Sequence, residues 1–90
     1  MKTTLQIIDS CPKFPYRISS EQADLLKRDF VLDVEQIQRQ NNPKTLLYKY
    51  FYQYNSENYM LLEEFLFRDN ETLLDIKRAI GRNYYLYKLE

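Results

Sequence analysis

Residues 48–54 read Tyr-Lys-Tyr-Phe-Tyr-Gln-Tyr, and the fold depends on which of two periodicities this stretch follows. In steps of two, its even-numbered tyrosines share one face of a β-strand, a setting that tyrosine favours. In steps of three and four, the same region forms an apolar helix face of Leu46, Leu47, Tyr50, Phe51 and Tyr54. We adopt the helix, because Asn42-Pro43 just before it supplies a cap and a proline for the first helical position.

The next segment, residues 59–67, allows the same two interpretations. As a strand it would place the adjacent Glu63 and Glu64 on opposite faces of a sheet, and so a charge on each face. A helix capped by Ser56 avoids this and is therefore preferred. Its inner face would carry Leu61, Leu62, Phe65 and Leu66.

On the N-terminal side, Ser19 and Gln22 have the spacing of a capping box. Apolar residues then recur at steps of three and four, which predicts a helix over residues 20–39. Its apolar face, within residues 23–37, also offers a surface for a homodimer. The face consists of Ala23, Leu26, Phe30, Val34 and Ile37.

On the C-terminal side, Asp69-Asn70 predicts the cap of a fourth helix, which Gly81 would end. Its inward residues would be Leu73, Ile76 and Ile80. The tail, residues 84–89, has strand-type residues, as do residues 3–8. The two ends of the chain could then pair as a two-stranded ribbon.

Together these patterns predict a single domain over residues 1–90, mainly α, with about four short helices and the optional ribbon. The alternative is an α+β fold of the ferredoxin-like order βαββαβ, in which residues 43–67 form a β-hairpin.

The amino-acid composition argues against several kinds of catalytic and binding site. The chain has no histidine, one cysteine and one glycine, so it lacks the usual general base, zinc ligands and glycine-rich phosphate loops. We therefore expect no enzyme, and no catalytic, cofactor-binding or metal-binding residues. Thirteen basic and thirteen acidic residues cancel, which disfavours a nucleic-acid partner.

The compartment is predicted from the same composition. Cys11 is the single cysteine, which fits a reducing cytoplasm better than secretion. No apolar run approaches the length of a membrane helix, so we expect no membrane partner.

Tyrosine is the one residue in surplus, with nine among 90 residues. A buried phenol needs a hydrogen-bond partner, and exposed tyrosines are enriched in interface hot spots. We therefore predict a small protein-binding module, such as an adaptor, inhibitor, assembly factor or subunit. The alternative is nucleic-acid binding by aromatic stacking beside scattered lysines and arginines. The predicted protein-binding residues are Tyr48, Lys49, Tyr52, Tyr84, Tyr85 and Tyr87.

Overall fold

Five antiparallel strands form one sheet in the computed structural model, which describes residues 3–40, 45–54, 58–68 and 79–89. The strand order across the sheet is β1-β5-β4-β3-β2. Strands β2 to β5 follow one another as a meander, and β1 adds to the far side of β5. The elements are α1 (Thr4–Asp9), β1 (Tyr16–Arg17), α2 (Ser20–Leu26), β2 (Val31–Gln40), β3 (Thr45–Gln53), β4 (Tyr59–Arg68) and β5 (Gly81–Lys88).

The mainly α prediction is wrong, because the two ambiguous segments are the strands β3 and β4. Glu63 and Glu64 do face opposite sides of the sheet, but each has a lysine partner: Lys27 for Glu63 and Lys49 for Glu64. The charge on each face is thus compensated, and the objection to a strand disappears. The α+β alternative is closer, although the described elements do not follow the order βαββαβ.

The predicted helix over residues 20–39 is correct only at its start. Ser19 caps α2, its hydroxyl accepting from Gln22 N–H at 3.2 Å, as the capping box predicts. The helix ends at Leu26, and residues 31–40 pair with β3 instead. The proposed dimer face is therefore divided: Ala23, Leu26 and Phe30 are buried in the core, whereas the remaining members lie on β2.

The N-terminal segment is a helix, and the strand predicted for residues 3–8 is wrong. Thr3 accepts from Gln6 N–H at 3.2 Å and donates its own N–H to the Gln6 amide oxygen at 2.8 Å. This second capping box starts α1, which buries Ile7 and Ile8. The strand predicted for the tail is confirmed as β5, but it pairs with β1 and β4 rather than with residues 3–8.

Both helices pack on one side of the sheet, which we call the helix-bearing face. The odd-numbered residues of β4 point to this side, as do their cross-strand partners. No described element packs on the other side, which we call the open face. The core between helices and sheet consists of Ile7, Ile8, Ile18, Ala23, Leu26, Phe30, Leu61, Tyr84 and Leu86.

Several predicted features fall outside the described residues. These are the cap at Asn42-Pro43, the cap at Ser56, and the fourth helix with Asp69-Asn70, Leu73 and Ile76. Gly81, predicted to end that helix, instead begins β5. Within the described ranges, neither helix has the length and apolar character needed to cross a membrane.

Candidate protein-binding surface

Glu63 is the centre of a buried polar cluster between α2 and the sheet. Its side chain is 4% exposed and pairs through Oε2 with the Lys27 ammonium, while that oxygen accepts no directed hydrogen bond. Its Oε1 accepts from the Tyr52 hydroxyl at 3.0 Å. Lys27 also lies 5.8 Å from the Tyr52 ring centroid. Burial, together with the charge and hydrogen bond of Glu63, raises the Tyr52 pKa above the usual range of tyrosine.

Two of the six predicted binding residues lie in the core or against it. Tyr52 packs against the core, and Tyr84 is buried with its ring 6.3 Å from that of Phe65. Burial, and secondarily the negative charge of Glu63, raises the pKa of Tyr84. The side chains of Tyr52 and Tyr84 are therefore held in place by contacts within the protein.

Tyr48 and Lys49 lie in β3, directly beside the edge strand β2. Tyr48 stands opposite Ile37 on the helix-bearing face, with its ring edge-on to Phe67 at 5.4 Å. Lys49 stands opposite Gln36 on the open face, and its ammonium is 4.0 Å from a carboxylate oxygen of Glu64. Both side chains are partly exposed.

Tyr85 and Tyr87 lie on the open face of β5, on the other side of β4 from β3. They are half-buried among Leu62 and Met60, their cross-strand neighbours. Burial, followed by the charge of Glu64, raises the pKa of Tyr87. The structure thus separates the six predicted residues into three pairs. Tyr52 and Tyr84 pack in the core or against it, Tyr48 and Lys49 lie beside β2, and Tyr85 and Tyr87 lie on the open face of β5.

The most exposed apolar surface of the described chain is β2. Every described side chain from 31 to 38 is exposed, although β2 belongs to a five-stranded sheet. Val31 and Ile37 retain 65% and 63% of their accessible surface. Leu32 and Val34 retain 42% and 40%. A run of exposed apolar residues on one strand is unusual for an isolated domain, which makes β2 the candidate interaction surface.

The backbone of β2 also has an unpaired side. Tyr54 N–H donates to the Tyr59 carbonyl of β4, and alternation then directs the odd-numbered residues of β3 towards β2. Their partners are the even-numbered residues Gln36 and Gln38. The N–H and C=O groups of Glu35 and Ile37 therefore point away from the sheet, where no described strand receives them.

A β-bulge interrupts the pairing of β2 with β3 between Leu32 and Val34. The extra residue, Asp33, shifts every later side chain to the opposite face. Val34 therefore lies on the open face with Val31, whereas Ile37 lies on the helix-bearing face. In the sequence, Phe30, Val34 and Ile37 recur at steps of four and three, as on a helix face. The sequence prediction missed β2 as a strand for this reason, and only the β-branched Val31, Val34 and Ile37 indicated it.

Comparison of the chain with protein-family models, with curated proteins and with solved structures gives no match.

Proposed function

We propose that this protein is a small protein-binding module whose contact surface is the edge strand β2. The observation that carries the proposal is a ten-residue edge strand that exposes four large apolar side chains together with unpaired backbone groups. Edges of this kind accept an additional strand, with backbone hydrogen bonds giving affinity and alternate side chains giving specificity.

The chemistry of β2 favours a particular partner strand. Protein surfaces usually protect such an edge with charged side chains, above all lysine, or with proline or a bulge. β2 has no lysine or proline; its charged residues are Asp33, Glu35 and Arg39, and its bulge lies at its beginning. Residues 34–38 continue as a regular ladder beyond it. Asp33 and Glu35 are exposed there, so an extended segment with apolar residues and basic side chains complements the edge. Tyr48 and Lys49, in the adjacent strand, are placed to border it.

Binding rather than catalysis, and a cytoplasmic location, remain part of the proposal. The absence of histidine from the sequence supports the first. The single cysteine supports the second. Cys11 is half-buried, and burial raises its thiol pKa, which disfavours the reactive thiolate.

Nucleic-acid binding is the competing function, and the open face is where aromatic stacking would occur. Phe51, Tyr85 and Tyr87 lie there, an arrangement that RNA-binding sheets use. Among the described residues, however, the lysine of this face, Lys49, is paired with Glu64 and so is less available to a phosphate backbone, although the exposed Arg17 also lies on this face. The balanced net charge points the same way.

The test uses the tagged chain to recover partners from its native lysate, with and without nuclease, followed by mass spectrometry. Ile37→Pro removes an outward N–H of β2 and leaves the bonds to β3 in place. We expect it to abolish recovery of the partner. Ile37→Thr keeps the N–H and the branched shape, and should retain most of it.

Leu5→Ser is the matched control, because Leu5 is 57% exposed on α1, away from β2. It should leave recovery unchanged. Circular dichroism verifies that each variant is folded. Recovery by folded Ile37→Pro at the wild-type level would contradict the β2 surface, and loss of all partners on nuclease treatment would favour nucleic-acid binding. Sedimentation of the purified protein shows whether a second copy occupies the edge.

A further inference from the structure

A polar pocket of about 330 Å³ lies at the opposite edge of the sheet from β2. Six of its lining residues carry hydrogen-bond donors in their side chains: Arg17, Ser19, Ser20, Arg82, Asn83 and Tyr84. Among the described residues, no aspartate or glutamate lines it. It shares none of these residues with β2 or β3 and is therefore independent of the proposed protein-binding surface.

The pocket exists because β1 is too short to cover β5. The pairing of these strands ends after Arg17, apart from one further hydrogen bond from Ile18 N–H to the Tyr84 carbonyl at 2.9 Å. Ser19 then caps α2, and the chain turns away from the sheet. Beyond that point no described strand pairs with the beginning of β5 on this side. By alternation, the backbone N–H of Arg82 points to the same uncovered edge as the Tyr84 carbonyl.

The two arginines approach the pocket from the two sides of the sheet. Arg17 pairs with Tyr85 in register and so lies on the open face, whereas Arg82 pairs with Phe65 on the helix-bearing face. Both are exposed. Neither guanidinium forms an ion pair with a described residue. The pocket therefore contains two positive charges and no described counter-charge.

We propose that this pocket binds a phosphate monoester. Guanidinium groups match the oxygen atoms of a phosphoryl group in a forked, charge-assisted geometry that a lysine does not provide. The Ser19 hydroxyl accepts from Gln22 N–H, so its own proton is free to be donated to the ligand. The Ser20 hydroxyl and the Asn83 amide supply further donors. A phosphoryl dianion satisfies more of these groups than a carboxylate does.

The test is a titration of the full chain with phenyl phosphate, monitored by the backbone amide NMR signals. We expect saturable shifts concentrated at Ser19, Ser20 and Asn83. Arg17→Gln and Arg82→Gln should each weaken binding by about tenfold, the loss expected for one charge-assisted partner. Since both arginines are exposed, the variants should keep the wild-type circular dichroism spectrum.

Lys13→Gln and Lys88→Gln are the controls, since each removes one positive charge from an exposed side chain outside the pocket. They should change the affinity by less than about twofold, as expected for screened surface charges. Benzoate, which carries a carboxylate on the same ring, should bind more weakly than phenyl phosphate. Unsaturable shifts, equal binding of benzoate, or equal losses in the lysine variants would each overturn the proposal.

Discussion

Glu63 and Glu64 are adjacent on β4, and each pairs with a lysine, but the two Lys–Glu pairs lie on opposite faces of the sheet and in different environments. Glu63 meets Lys27 beneath α2, where the carboxylate side chain is 4% exposed and that of Lys27 is 30% exposed. Glu64 meets Lys49 on the open face, where the two side chains are 17% and 24% exposed. Solvent reaches the Glu64 carboxylate more than the Glu63 carboxylate, so losing its lysine should cost Glu64 less than Glu63. Burial, rather than the residue type, decides the energetic role of each pair.

The largest effect is expected from removing the lysine of each pair. Lys27→Met leaves Glu63 buried without its cation, and should lower the free energy of unfolding by about 3–5 kcal/mol. Lys49→Met should lower it by less than about 1 kcal/mol, because Glu64 can be hydrated. Urea unfolding followed by circular dichroism measures both. Equal losses of unfolding free energy in the two variants would show that water reaches the two carboxylates to the same extent.

A smaller difference is expected between the neighbouring leucines of β4. Leu61 is 0% exposed beneath the helices, and Leu62 is 6% exposed on the open face. Leu61→Ala should cost about 3–4 kcal/mol, since helices and sheet surround the cavity it leaves. Leu62→Ala should cost about 2 kcal/mol, because its neighbours can relax into the space. The same urea measurement applies, and a larger loss for Leu62→Ala would indicate that the open face is covered in solution.

The smallest difference concerns alkaline pH. Tyrosines in the unfolded chain lose their protons above about pH 10, while the raised pKa values of Tyr52 and Tyr87 keep these side chains protonated in the folded state. The unfolded state then binds fewer protons, so stability falls as the pH rises above that value. Tyr52→Phe should remove more of this fall than Tyr87→Phe, because Tyr52 also donates to Glu63.

Unfolding free energies measured between about pH 9 and pH 11 give the slopes to compare. The comparison uses slopes because Tyr52→Phe also loses a hydrogen bond at neutral pH. A steeper decline in Tyr52→Phe than in the wild type would contradict the proposed protection.

The sequence predicted those features that depend on short-range chemistry. The Ser19–Gln22 capping box and the strand of the tail are examples, since each depends on residues that are close in the chain. Thr3 and Gln6 carry the same capping signature as Ser19 and Gln22. The β-branched residues around them concealed it, and α1 was predicted as a strand.

The sheet could not be predicted in the same way, because it is stabilised by contacts between residues that are far apart in the chain. The strand at residues 59–68 is acceptable only when Lys27 and Lys49 neutralise its two carboxylates. The bulge at Asp33 is visible only in the pairing with β3. Likewise, which tyrosines face solvent depends on the position of α2. Tyr52 and Tyr48 share a strand face, yet only Tyr52 packs against the core cluster.

The placement of β5 has a consequence for biosynthesis. The core joins Ile7, Ile8 and Leu26 to Tyr84 and Leu86, so its two sides are about 60 to 80 positions apart in the chain. While the ribosome is still producing β4, the apolar sides of α1 and α2 have no completed sheet to pack against. The nascent polypeptide therefore displays the apolar sides of both helices until β5 emerges, in addition to β2, which stays exposed in the finished sheet. Chaperone binding should be strongest in that interval, when the exposed apolar surface is largest.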